Sequence, residues 1–109
     1  TPLDARVDWS APALRVDRLV RACTPVPGAW TTFRGKRLKV LPVNIDESTR
    51  TDAAAGLSPG ELYADADVVL VGTGSVPVRL GDVQPEGRAA MAAAAWSRGV
   101  RLDAGDVLE

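Results

Sequence analysis

The chain's most concentrated chemical signal is a group of cations: Arg34, Lys36, Arg37 and Lys39 fall close together, beside the aromatic side chains of Trp30 and Phe33. Guanidinium and ammonium groups on a short ribbon neutralise phosphates, so this pattern points to contact with a nucleic-acid backbone. A charged edge strand also discourages strand-to-strand aggregation, which is the purely structural alternative. Arg88, Arg98 and Arg101 would extend a basic surface, although each singly is also an ordinary solvated charge at a helix end.

The chemistry that is missing is as informative. There is no histidine, so serine, cysteine and metal-assisted mechanisms that rely on an imidazole near neutral pH have no base to use. Cys23 is the single cysteine; it closes an apolar helical stripe and is expected to be a small core residue rather than a nucleophile. Asp46 and Glu47 sit in a polar stretch with no apolar setting to raise a pKa, and with Ser48, Thr49 and Asp52 they lack the spacing of a calcium loop. Gly72-Thr73-Gly74 begins like a dinucleotide fingerprint, but Pro77 stands where the third glycine belongs and no helix pattern follows, so a turn is the better reading. No catalytic residue and no metal site are expected in this chain.

Composition sets the frame for these residues. A chain of 109 residues, 46% hydrophobic and 25% charged, fits one globular domain with a single core. No apolar run approaches the ~20 residues of a membrane span. The lone cysteine suits a reducing cytosol. With a net charge of -1 the chain has no global field to attract RNA, so any binding must come from local placement; Asp46, Glu47, Asp52, Asp65 and Asp67 occupy the stretch after the basic group and, if the chain binds RNA, should face away from the RNA. Thr1-Pro2-Leu3-Asp4 has neither an initiator Met nor the regions of a signal peptide and reads as a cut end, with another segment expected before it.

Two helices and several short strands are expected to position the cations. Ser10 is the predicted cap of a first helix, with Pro12 in its first turn and Trp9 and Leu14 forming a hydrophobic staple. Val16, Leu19, Val20 and Cys23 give its apolar stripe, Arg15, Asp17, Arg18 and Arg21 its outer face, and the helix ends near Thr24 before Pro25, Pro27 and Gly28. Ala29 to Phe33 and Lys36 to Val43 read as a hairpin around Arg34-Gly35, with Leu38 and Val40 on one face and Arg37 and Lys39 on the other. Asn44 to Ser58 reads as a long loop, Asp67 to Val71 as an apolar strand, and Ser75 to Leu80 as a strand that Pro77 demotes toward an edge or a bulge. A second helix is expected from Gly87 through Trp96, stopped by Gly99, with Val100 to Leu102 as a closing strand. The resulting class is mainly β with two flanking helices; periodicity alone leaves an oligonucleotide-binding-type barrel, an SH3-like barrel and an open α+β sheet all standing.

The landmarks, taken in order, resemble the carboxy-terminal domain of methionyl-tRNA formyltransferases. They are Arg6-Val7-Asp8-Trp9-Ser10 before a helix ending Leu19-Val20-Arg21-Ala22; Pro25-Val26-Pro27-Gly28-Ala29-Trp30; Phe33-Arg34-Gly35-Lys36 with Leu38-Lys39-Val40; Pro59-Gly60-Glu61; Gly72-Thr73-Gly74; and above all Val83-Gln84-Pro85-Glu86-Gly87-Arg88-Ala89-Ala90-Met91 followed by Trp96-Ser97-Arg98-Gly99. The resemblance implies that residues 1–109 form a small oligonucleotide-binding-like barrel that holds tRNA. It also implies an amino-terminal Rossmann-type catalytic domain absent from this chain, with 10-formyltetrahydrofolate as that domain's co-substrate and initiator methionyl-tRNA as the partner. A cytoplasmic monomer with no membrane contact is the corresponding expectation. The chain's near-neutral balance departs from the positive channel usual in the family, so the orientation of the charges must matter more than their number.

The same barrel type stands beside formyltransferase domains that do not bind tRNA, including formyltetrahydrofolate dehydrogenases and a bifunctional enzyme of lipid A modification. A structural, interdomain role is therefore the alternative, and an exposed apolar patch in place of a basic stripe would favour it. A free-standing RNA- or protein-binding barrel and a small independent enzyme are weaker alternatives.

Overall fold

The computed structural model describes residues 5–24, 28–45 and 56–109. The order of elements is α1 (Ala13–Cys23), β1 (Ala29–Phe33), β2 (Lys36–Val40), β3 (Leu62–Ala64), β4 (Val69–Val71), β5 (Val78–Arg79), β6 (Asp82–Pro85), β7 (Met91–Ala92) and α2 (Ala93–Val100). The mainly-β class with two helices is thus met. The described strands form one sheet ordered β1-β2-β6-β7 and another ordered β3-β4-β5, with every ladder antiparallel. No continuous ladder closes them into a barrel among the described residues. Isolated bridges stitch them instead: Asn44 to Arg79, Glu61 to Val107, and Phe33 to Leu108.

The hairpin forms as its composition demands. Arg34 and Gly35 both take positive φ, 51° and 81°, the turn whose twist matches two flanking strands. Leu38 and Val40 then enter the core at 2% and 1% exposure while Arg37 and Lys39 face outward. The ladder on β2 stops at Val40 rather than running to Val43. Beyond it Val43 is still buried, and Asn44 exchanges backbone hydrogen bonds with Arg79. The core joins Val16 and Val20 of α1, Phe33, Leu38 and Val40 of the first sheet, Val69 and Val71 of the second, and Trp96 of α2. One polar group lies deep within this layer. Thr31 is fully buried, accepts a hydrogen bond from Trp9 Nε1 at 2.9 Å and donates to the Glu109 carbonyl at 2.8 Å, so its burial carries no unsatisfied cost.

The start of α1 corrects the sequence reading. Ser10 does not cap it: the Ser10 hydroxyl donates to Asp8, and Pro12 occupies the cap position without a side-chain bond. The free amide of Ala13 is taken by Ser75 Oγ at 2.9 Å, from a residue 62 positions away. The staple fails for the same reason. Trp9 turns inward to Thr31 while Leu14 stays 54% exposed. Gly72-Thr73-Gly74 is a turn, and a tight one: Gly74 donates to the Ala11 carbonyl, and a Cβ there would collide with the Ser10 backbone. The glycine therefore serves the approach of this turn to the helix entrance.

The second helix is shorter and later than its run of helix formers suggested. Gly87 lies in the turn after β6 with φ +75°, Ala89 and Ala90 are irregular, and Met91-Ala92 pairs with Val83 and Asp82 as a strand. Alanine's helical preference is weak beside a set of sheet hydrogen bonds, so tertiary pairing wins until Ala93. Gly99 lies inside α2, and termination falls to Arg101, whose φ of 52° is left-handed and whose amide donates to the Ser97 carbonyl. Val100 to Leu102 is consequently not a closing strand; Val107 and Leu108 make the closing bridges. Of the expected long loop, residues 46–55 lie outside the described residues, as do Asp46, Glu47 and Asp52 with their proposed orientation.

Candidate nucleic-acid interface

Register decides which side chains share the outer face of the first sheet. Arg6 pairs with Trp30 in a parallel bridge, Trp30 pairs with Lys39, and Lys39 pairs with Gln84. Directly paired residues point the same way, so these four form a row across three strands and the segment before α1. Thr32 and Arg37, two pairs along, lie on that same face. Trp30 is only 7% exposed despite facing outward, because guanidinium groups cover it. Arg37 sits 4.0 Å and Arg6 5.4 Å from its ring centroid.

Two clefts flank this strand. One, of about 410 Å³, lies between the hairpin, the turn after β6 and α2, and its cations are Arg34, Lys36, Arg37 and Arg88 over a floor that includes Leu38, Met91 and Trp96. The other, of about 400 Å³, is lined by Trp30, Arg37, Lys39, Gln84 and Gly87. Arg37, Pro85 and Glu86 border both, which makes Arg37 the ridge between them. Glu86 is the one carboxylate on either lining. Phe33 and Trp96 meet edge to face at 5.0 Å beneath the first cleft and stiffen its floor.

The seven basic residues singled out from sequence divide by what their side chains do. Lys36, Arg37, Lys39 and Arg88 are exposed, line the clefts and take part in no ion pair among the described residues. Arg34 also lines the first cleft, but its guanidinium is occupied. It pairs with Asp106 at 2.6 Å, donates to the carbonyls of Val100 and Arg101, and lies 4.7 Å from the Phe33 ring. The hydrogen bond from Arg34 is the leading cause that holds the Asp106 carboxyl below its ordinary value, and the bond to Asp106 in turn raises the guanidinium. Arg98 donates to the Ala66 carbonyl at 3.0 Å, and Arg101 forms the left-handed end of α2; neither lines a cleft. Asp65 and Asp67, the described members of the acidic stretch, also stay outside both linings.

Two contributors were not visible in the sequence. The strand β6 pairs with β2 and supplies Gln84, Pro85 and Glu86 to the clefts; its short run Asp82-Val83-Gln84-Pro85 carries little alternation and ends in a proline. Arg6 joins the face only through a single bridge formed across the fold, for which local patterning gives no signal.

These features define a small mainly-β domain with a cation-lined, aromatic-backed outer face suited to a polyanion. Residues 1–101 match the family described as "Formyl transferase, C-terminal domain", and the chain belongs to that family. It is 59% identical over 106 residues to a protein of Thermobifida fusca (strain YX) named "Methionyl-tRNA formyltransferase", covering 97% of this chain and 33% of that one. A protein of the same name from Nocardioides sp. is 60% identical over 104 residues, 94% of this chain and 31% of that one. The chain thus spans about a third of the length of the curated relatives it matches. A solved structure of HypX from Aquifex aeolicus superimposes with a TM-score of 0.70 at 21% identity, over 92% of this chain and 17% of that one, a likeness of fold.

Proposed function

We propose that this chain is the tRNA-holding domain of a methionyl-tRNA formyltransferase, an enzyme that transfers a formyl group from 10-formyltetrahydrofolate to the methionine amino group of initiator methionyl-tRNA in translation initiation. Its place is the cytoplasm, as part of a monomeric enzyme whose catalytic groups and folate site belong to an amino-terminal Rossmann-type domain. The domain itself holds the RNA and takes no part in the chemistry. The observation that carries this reading is the gathering of Lys36, Arg37, Lys39 and Arg88 along two adjoining clefts, without ion-pair partners among the described residues. The names of the curated relatives support the same reading. Cations placed this way bind phosphates regardless of base, so they fix the position of the tRNA while its identity is read elsewhere.

The second reading, an interdomain scaffold in a folate-dependent enzyme that binds no tRNA, is favoured by the likeness to HypX, one structure of which is a complex with tetrahydrofolic acid. The surface speaks for the first. Leu14 is the only large hydrophobic side chain prominently exposed among the described residues, so no broad apolar docking patch accompanies the basic clefts. The distinguishing experiment is tRNA binding by the full-length enzyme carrying Arg37→Gln with Lys39→Gln. Weaker binding and a flatter dependence on salt are expected. Unchanged affinity at low salt would transfer the domain to the scaffold reading.

A further inference from the structure

Arg37 does not stand alone on the outer face: its guanidinium lies 4.0 Å from the Trp30 centroid, and a second guanidinium, Arg6, lies 5.4 Å from the same ring. An arginine side chain on a strand ordinarily samples many rotamers, and holding it in one costs entropy. A flat ring beneath it restricts that sampling while leaving the N–H groups free at its rim, because a guanidinium attracted to a π face still points its donors outward in its own plane. Trp30 is suited to this work. Its backbone is paired to Lys39 and bridged to Arg6, and its side chain is almost wholly covered, so the sheet sets where the ring stands and little room is left for it to turn.

We propose that Arg6, Trp30 and Arg37 form a second-arginine phosphate clamp, in which Trp30 is the positioning residue and Arg6 a further binding residue for the RNA backbone. This rests on the tRNA-holding reading and deepens it. The register places Arg6 and Lys39 on opposite sides of Trp30, two strand spacings or roughly 10 Å apart at the backbone, so the row Arg6, Trp30, Lys39 meets more than one phosphate of a strand crossing the sheet. Arg37 stands beside that row, two residue pairs further toward the hairpin tip. The Arg6 side of the row has less net attraction, because Asp8 and Glu109 line the neighbouring cleft with Arg6. Arg37 therefore leads and Arg6 follows.

A double-mutant cycle on initiator tRNA affinity, measured in the full-length enzyme across about 50 to 200 mM salt, separates the alternatives. Trp30→Leu is expected to weaken binding roughly two- to fivefold, the range of an exposed cation–π contact, and to flatten the salt dependence. Trp30→Phe keeps a π face and is expected to restore most of the loss. Trp30→Leu combined with Arg37→Gln should be little worse than Arg37→Gln alone, because the ring then has no guanidinium left to position except Arg6. Full additivity, or Trp30→Leu binding like the wild type, would overturn the clamp. Should Trp30→Leu fold poorly, Arg6→Gln carries the test on an exposed side chain: about a twofold loss with a shallower salt slope supports the clamp, and no change removes Arg6 from it. If Arg37→Gln itself leaves tRNA affinity untouched, the tRNA-holding reading and the clamp fall together; if Arg37→Gln weakens binding while Trp30→Leu is additive, the clamp alone falls.

Discussion

The Arg34 guanidinium meets the Asp106 carboxylate at 2.6 Å and so fastens the tip of the β1-β2 hairpin to the segment that follows α2. The same guanidinium donates to the carbonyls of Val100 and Arg101, which are left without helical partners where α2 ends. Its role is to hold, and Asp103 at 3.9 Å adds only a weak, exposed second partner. Arg34→Gln should therefore lower the melting temperature while changing the salt dependence of tRNA binding less than Arg37→Gln does. A thermal melt and a salt titration of each variant measure the two effects separately, and equal flattening by both would return Arg34 to the proposed RNA-binding set.

Acid should release this fastening. The Asp106 carboxyl lies below its ordinary value, chiefly through the hydrogen bond from Arg34 and next through that from the Asp103 amide. A depressed carboxyl stabilises the fold only while ionised, so its contribution is complete above the unfolded value of about 3.9 and disappears as the pH falls through the lower folded value. Asp106→Asn should accordingly be less stable than the wild type at neutral pH, and the gap should close below about pH 4. Urea unfolding at both pH values checks this; a gap that widens in acid would contradict the assignment.

The cap of α1 offers a comparison between two serines. Ser75 accepts a hydrogen bond from the Ala13 amide, whereas the Ser10 hydroxyl serves only an exposed bond to Asp8. Ser75→Ala should cost about 1 kcal/mol, the usual worth of a lost side-chain cap, and Ser10→Ala less. Chemical denaturation of the two variants ranks them, and the opposite order would restore the local cap.

Leu38 ties the basic strand to the core. It is 2% exposed and floors the first cleft, directly between the outward Arg37 and Lys39 in sequence. Leu38→Ala should destabilise the domain by roughly 2 to 5 kcal/mol through lost burial and a residual cavity. Since the charges remain, tRNA affinity measured well below the melting temperature should change much less than for Arg37→Gln.

Local patterning went far where neighbours in sequence do the work. The stripe Val16, Leu19, Val20 and Cys23 identified α1, and Arg34-Gly35 between two β-rich runs identified the hairpin, because a helix face and a two-residue turn are set by interactions only a few residues long. Alternation along Leu38, Lys39 and Val40 fixed which cations face outward, since a strand of fixed register has no other choice. What local patterning left open is what the far parts of the chain supply. Ser75 replaced Ser10 as a cap, β6 drew Met91-Ala92 out of the helix, Asp106 claimed Arg34, and Arg6 arrived over Trp30. Each of these pairs residues more than 20 positions apart or sets a sheet bond against a weak propensity. Residue types and spacing thus established the elements and a basic ribbon. Only folding determined which cations are held by the protein and which are left for a ligand, because a charge's partners are chosen by distance in space and not by position along the chain.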